Sequence, residues 1–198
     1  MIYLVRHGQT EWNKAGIKQG WLDSPLTSKG KRQAQLVAKF LAKYSLGEIV
    51  CSPLGRTVQT TKIITDFLSS NIPVRSFDWL REINVGDFSG QSKTWVELNY
   101  PGFYKQRTAN LESKFNTRFP NGESLHDVYN RVKEPLLDLD AIHNKTNLVI
   151  VGHEGINRII RSVLLNKDPI DYLNLHQANN EIVTLNLAES MEEVIALE

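Results

Sequence analysis

Apolar residues follow two patterns along the chain. Three short runs, Ile2–Val5, Ile49–Cys51 and Leu148–Val151, are continuous rather than alternating, as expected of parallel strands covered on both faces. Elsewhere apolar positions recur every three or four residues, the period of a helix with one buried face. This spacing predicts a helix from Ser28 to Lys43, capped by Thr27, that buries Ala34, Val37, Ala38 and Leu41. A second helix runs through Ile63, Ile64 and Phe67, with Pro53 suited to its first turn. Ser124 caps a third, carrying Val128, Val132, Leu136 and Leu139, and a fourth covers Ile156 to Leu165.

Strand–helix alternation predicts an α/β fold of three layers, α/β/α, around an open and mostly parallel sheet. Ile182–Leu187 and Val194–Leu197 read as edge strands, the first a free edge or a dimer contact. Residues 84–121 break the pattern. They hold Trp95, Tyr100, Phe103, Tyr104, Phe115 and Phe119, interrupted by Pro101 and Pro120, with one short helix near Ser92–Asn99. We expect a small cap inserted over one end of the sheet, its aromatics forming its own core. With no repeat, low-complexity tract or linker, residues 1–198 are expected to form a single domain.

Composition narrows the function. A chain of 198 residues buries roughly 70% of its unfolded surface, so the core needs no disulfide or metal staple. The net charge of +1, from 23 Lys and Arg against 22 Asp and Glu, gives no overall pull toward nucleic acid or an anionic membrane. Binding of an anion then needs a local cluster. Cys51, the only cysteine, excludes an intramolecular disulfide and a Cys-based zinc site; it reads as a small buried hydrophobe. The N-terminus lacks signal-peptide character, and no apolar run approaches the ~20 residues of a membrane-spanning helix. A cytoplasmic protein, monomeric or homodimeric, is the expectation.

Each continuous run ends in chemistry-bearing residues: the first in Arg6-His7-Gly8, the second in Ser52-Pro53 and then Arg56, the third in Gly152-His153. Ligands of open parallel sheets bind beyond the carboxyl ends of the strands, so two histidines and two arginines converge on one rim. Arginine presents a planar, permanently charged fork to phosphoryl oxygens. A neutral histidine is a nucleophile near neutral pH. One ring nitrogen must carry and donate its proton, with a backbone carbonyl the expected acceptor, and the other attacks. A lone histidine after a strand is more often a packed residue, but four converging groups favour a site. A zinc site lacks an obvious third ligand at a fixed local spacing.

These residues carry a resemblance. Arg6-His7-Gly8-Gln9-Thr10-Glu11-Trp12-Asn13 resembles the signature of the histidine phosphatase superfamily, which includes the phosphoglycerate mutases. The match continues in Gln19 to Thr27, Ser52 to Thr60, Leu80 to Gly90, Asn121 to Ser124 and Val151 to His153. The resemblance implies a phosphoglycerate mutase-like fold and hydrolysis of small phosphate monoesters without metal or cofactor. It implies that His7 becomes phosphohistidine, that Arg6, Arg56 and His153 bind phosphoryl oxygens, and that Asn13 adds a neutral donor. Glu82 would protonate the leaving oxygen and then activate water, help typically worth about 10²–10⁴-fold. Gln19 is expected either to reach the substrate or to brace a turn. His126, His143 and His176 match no motif and are expected to be surface or structural.

Two departures stand out: Phe88-Ser89 where the family often has Trp-Glu, and Glu154 after the second histidine, where glycine is common. A carboxylate at position 154 would repel phosphate unless it points away. A cofactor-dependent mutase is the rival enzyme, but Glu82 and His153 lie only 71 positions apart, and the shorter cap favours entry of water. A phosphate-sensing module without catalysis is the rival from another class; the intact set His7, Arg6, Arg56, Glu82 and His153 argues against it. The partner expected is a small phosphorylated metabolite. The charges from Lys93 to Arg118, five Lys and Arg against two Glu, suit an anionic substrate, although a solvated face is the commoner reason for such charges.

Overall fold

The computed structural model describes residues 1–69, 71–143 and 146–198. Strand β1 (Ile2–Arg6) leads into a short helix α1 (Glu11–Ala15) and then α2 (Ser28–Leu41). Strand β2 (Leu46–Cys51) precedes α3 (Gly55–Leu68) and a three-residue strand β3 (Val74–Ser76). Three short helices follow, α4 (Lys93–Asn99), α5 (Phe103–Arg107) and α6 (Leu111–Asn116), then α7 (Leu125–His143). The chain closes with β4 (Asn147–Gly152), α8 (Glu154–Leu164), β5 (Glu181–Asn186) and β6 (Met191–Ala196).

The sheet order is β3-β2-β4-β1-β5-β6, parallel from β3 to β1 and antiparallel at β5 and β6. Both faces are covered, which explains the continuous apolar runs. Ile2, Leu4, Val50, Leu148 and Ile150 pack on one face with Val128, Val132 and Leu136 of α7 and Ile156 and Ile159 of α8. Tyr3, Val5, Ile49, Cys51, Val149 and Val151 pack on the other with Val37, Ala38 and Leu41 of α2 and Ile64 of α3. Cys51 is buried there as a small hydrophobe.

The expected caps hold: Thr27 Oγ1 accepts from Gly30 N, and Ser124 Oγ accepts from Asp127 N. Several expectations need correction. Pro53 lies ahead of α3, whose first backbone N–H groups are capped instead by the Asp23 carboxylate. Strand β5 is no edge, because β1 and β6 pair with its two sides; the edges are β3 and β6. Residues 84–121 hold three α-helices rather than one. Their aromatics do pack on each other: the Phe88 ring lies 4.8 Å from Phe103, 5.0 Å from Tyr100 and 5.5 Å from Phe119. His126 stacks on Phe115. The side chain of His143 lies outside the described residues.

Candidate active site

Strand register assembles the site. Val151 pairs with both Val5 and Cys51, so the residues that follow, Arg6, Gly152 and Ser52, leave the sheet side by side. The next bonds are His7 N to Gly152 O at 3.1 Å and Ser52 N to Val151 O at 3.1 Å. The His7 and His153 rings consequently meet at 5.2 Å between centroids.

His7 Nδ1 lies 2.8 Å from Gly8 O. A carbonyl only accepts, so Nδ1 carries the proton and Nε2 keeps its lone pair. Asn179 Nδ2 donates to His7 O at 2.6 Å and holds the loop. Burial, then the Arg56 and Arg6 guanidiniums, keep His7 well below the usual histidine range, so the ring is neutral.

His153 is fully buried. Arg56 Nε donates to its Nδ1 at 3.2 Å, so Nε2 carries the proton and donates to Ser52 Oγ at 2.9 Å. Burial and Arg56 also hold this ring neutral. In this arrangement both nitrogens of His153 have partners, Arg56 Nε on one side and Ser52 Oγ on the other.

Arg56, itself buried, donates through Nη1 to Leu22 O and Asp23 Oδ1 and through Nη2 to Gly20 O, each at 2.8 Å. The guanidinium plane is therefore set by the 20–23 loop, leaving one Nη2 proton for a ligand. Arg6 Nη1 donates to Gln177 O at 2.7 Å and pairs with Glu154 Oε2 at 2.8 Å; its Nε is buried without a partner.

Glu82 comes from the segment that follows β3 and lines the same cavity. Its Oε1 accepts from Ile83 N and Ile156 N, and its Oε2 from Gly155 N, at 2.9 to 3.2 Å. The carboxylate thus caps the N-terminus of α8, whose N-cap residue, His153, makes no side-chain cap bond. Glu82 O is fixed by Trp21 Nε1 at 2.7 Å and Arg131 Nη2 at 3.1 Å.

A cavity of about 450 Å³ is lined by Arg6, His7, Asn13, Gln19, Arg56 and Glu82. Every residue expected at the site except His153 thus reaches the cavity wall, and His153 lies directly behind. Asn13 Oδ1 accepts from Thr10 N, so the donor end of its amide is the part left for a ligand. Gln19 does brace a turn, accepting from Ser24 Oγ at 3.3 Å, and faces the cavity as well.

Glu154 does not point away. It lines the cavity, paired with Arg6, with Arg158 at 2.5 Å and with His176 at 2.8 Å. Burial opposes its charge, but Arg6, Arg158 and His176 together hold its carboxyl below the ordinary range. Sequence reasoning also missed Lys18, Arg107, Lys114 and Arg158 in the wall; Arg107 and Lys114 belonged to the positively charged stretch, but their direction was not readable. Gln177 and Asn179, which bond Arg6 and His7, carried no signal at all. Among the described residues no three His, Cys, Asp or Glu side chains converge as metal ligands.

The model for the histidine phosphatase superfamily (branch 1) matches residues 2–198. Phosphoserine phosphatase 1 of Hydrogenobacter thermophilus is 33% identical over 99% of this chain and 90% of its own. A Yersinia enterocolitica protein named as a probable phosphoglycerate mutase is 32% identical over 96% of this chain and 86% of its own. The α-ribazole phosphatase of Shigella flexneri superposes with a TM-score of 0.83, covering 99% of this chain and 95% of that one at 22% identity, a likeness of fold.

Proposed function

Because the chain belongs to the histidine phosphatase superfamily (branch 1), we propose that it hydrolyses small phosphate monoesters through a phosphohistidine on His7. Phosphatase chemistry is common to the family and the phosphoserine phosphatase relative. The observation that carries the assignment to His7 is its donated Nδ1–H, which leaves Nε2 as a lone pair in a cavity that Arg6 and Arg56 also line. His7 Nε2 attacks phosphorus and the bond to the leaving oxygen breaks. In this step Glu82 acts in its protonated form and gives that oxygen a proton, becoming the carboxylate. Water then attacks phosphorus, Glu82 takes a proton from it, and the N–P bond breaks to release inorganic phosphate. Arg6 and Arg56 stabilise the phosphoryl oxygens throughout, with Asn13 and Gln19 as neutral contacts and His153 holding Arg56.

In this reading residues 84–121 form a cap within a single domain: Arg107, Lys114 and Phe119 from that segment line the cavity. The substrate is a small phosphorylated metabolite and the working place the cytoplasm. Among the described residues no helix is long and apolar enough to cross a membrane.

The test is phosphate release, in EDTA, from a panel of phosphomonoesters that includes 3-phosphoglycerate, for wild type and His7→Ala. Release that resists the chelator and is lost in the variant is the expected result. Interconversion of 3- and 2-phosphoglycerate without release would make the chain a mutase instead, and silence in both assays a sensing module.

A further inference from the structure

Each arginine expected to bind phosphoryl oxygens comes with a carboxylate of its own. Arg56 pairs with Asp23 and Arg6 with Glu154, both at 2.8 Å. The two carboxylates differ in what else they hold. Asp23 also accepts from Gly55 N and Arg56 N, so it belongs to the start of α3. Glu154 is bonded by side chains, Arg6, Arg158 at 2.5 Å and His176 at 2.8 Å. Unlike Asp23, it lines the cavity beside Arg6.

This pairing shapes what Arg6 has left for a ligand. Its Nη1 carries two protons; Gln177 O takes one at 2.7 Å and Glu154 Oε2 the other. A phosphoryl group has to meet the rest of the guanidinium, whose Nε is buried without a partner among the described residues. The loop ahead of β5 and the first turn of α8 thus fix Arg6 between them. Although burial opposes the charge of Glu154, Arg6, Arg158 and His176 keep its carboxyl ionised at neutral pH. Its field also reaches Lys18 and Lys114.

Resting on the phosphatase reading above, we propose that Glu154 is a positioning residue that acts through Arg6. It fixes the guanidinium from the α8 side and shares its charge with the phosphoryl group, so that the site holds phosphate weakly enough for the product to leave. One cation serving two anions gives each of them less, and the two anions repel. Because Arg158 and His176 offset part of the Glu154 charge, the affinity for phosphate is lowered and not abolished. The effect falls alike on the phosphoryl group of the ester and on released phosphate, which makes it a matter of uniform binding.

The test is calorimetric titration of inorganic phosphate, in EDTA, into wild type, Glu154→Gln, Glu154→Ala and Glu154→Asp. Loss of the charge in Glu154→Gln is expected to tighten phosphate by about tenfold or more. Glu154→Ala makes the same change of charge without an amide to misplace and should tighten it too, whereas Glu154→Asp keeps the charge and should not. In turnover, KM should fall with the phosphate dissociation constant while kcat does not rise. The sign is diagnostic, since a merely structural role would loosen phosphate in every variant. Equal or weaker binding in Glu154→Gln or Glu154→Ala, or tightening in Glu154→Asp as well, overturns the proposal. Calorimetry needs no turnover, so the two readings fail separately. A wild type that releases no phosphate from any ester, beside tighter binding in Glu154→Gln, would defeat the phosphatase reading and leave the role of Glu154 standing; release with unchanged phosphate binding would do the reverse.

Discussion

Glu82 can cap α8 only because residue 155 has no side chain. A Cβ at Gly155 would stand 2.5 Å from Glu82 Oε1, closer than any real contact. The obstructing atoms end a flexible side chain, so Gly155→Ala should move the carboxylate rather than the backbone. If Glu82 is the acid and base proposed above, a displacement of that size is expected to lower kcat/KM about tenfold to a hundredfold, with the melting temperature nearly unchanged; steady-state kinetics beside a thermal melt checks both. An activity equal to wild type would remove Glu82 from the chemistry. Glu154 teaches a related lesson. From its type alone it should repel phosphate, yet it faces the cavity and is held by two arginines and a histidine. Residue type announces a charge, and only the neighbours decide its sign of effect.

At the scale of elements, α2 packs backbone to backbone on the loop that carries His7. A Cβ at Gly30 would meet Gln9 O at 2.1 Å, and one at Gly8 would meet Gly30 O at 2.3 Å. In an ordinary helix interior Gly→Ala stabilises by about 0.5–1 kcal/mol. Here Gly30→Ala should instead destabilise, by about 1–3 kcal/mol as an overpacked contact does, and should reduce phosphatase activity because Gly8 O is the acceptor that sets the His7 tautomer. Denaturant unfolding and turnover of the same variant measure the two effects; a stabilised, active variant would contradict this close approach. The elements read from the apolar pattern, the continuous runs β1, β2 and β4 and the periodic helices α2, α3, α7 and α8, are those long enough or apolar enough to show a pattern. Helices α5 and α6, five and six residues long, and strand β3, three residues long and exposed, are too short to show one. Strand β5 was legible as a strand but not as an interior one, since the pairing of β6 with its far side leaves no trace in its own residues.

At the scale of the whole molecule, burial of two neutral histidines ties stability to pH. Both rings are held well below the ordinary range in the folded protein, whereas in the unfolded chain they titrate near about 6.5. Below that value the unfolded chain binds protons that the folded one refuses, so stability falls as pH falls. Above it both states carry neutral rings and the effect vanishes. Each histidine contributes a slope approaching about 1.4 kcal/mol per pH unit below pH 6.5. Urea midpoints between pH 6.5 and 5.5 should therefore drop in wild type and drop less steeply in His7→Gln; equal slopes would mean that His7 is protonated in the folded state. The same burial keeps His7 unprotonated in the free enzyme, so loss of activity in mild acid should not follow an ordinary histidine titration.

The sequence by itself determined the parallel strands, their order of chemistry and the convergence of Arg6, His7, Arg56 and His153, because a strand's carboxyl end places whatever follows it at one rim of the sheet. It also carried Glu82, through a motif rather than through any local physical signal. Only the tertiary structure decided which nitrogen of each histidine is protonated, that His153 bonds Arg56, that Glu154 pairs with Arg6, and that Lys18, Arg107 and Lys114 line one cavity. Those outcomes depend on the direction of side chains from elements far apart in the chain, as with Lys18 after α1 and Arg107 in α5, and no local pattern of apolar and polar residues encodes where two such side chains meet.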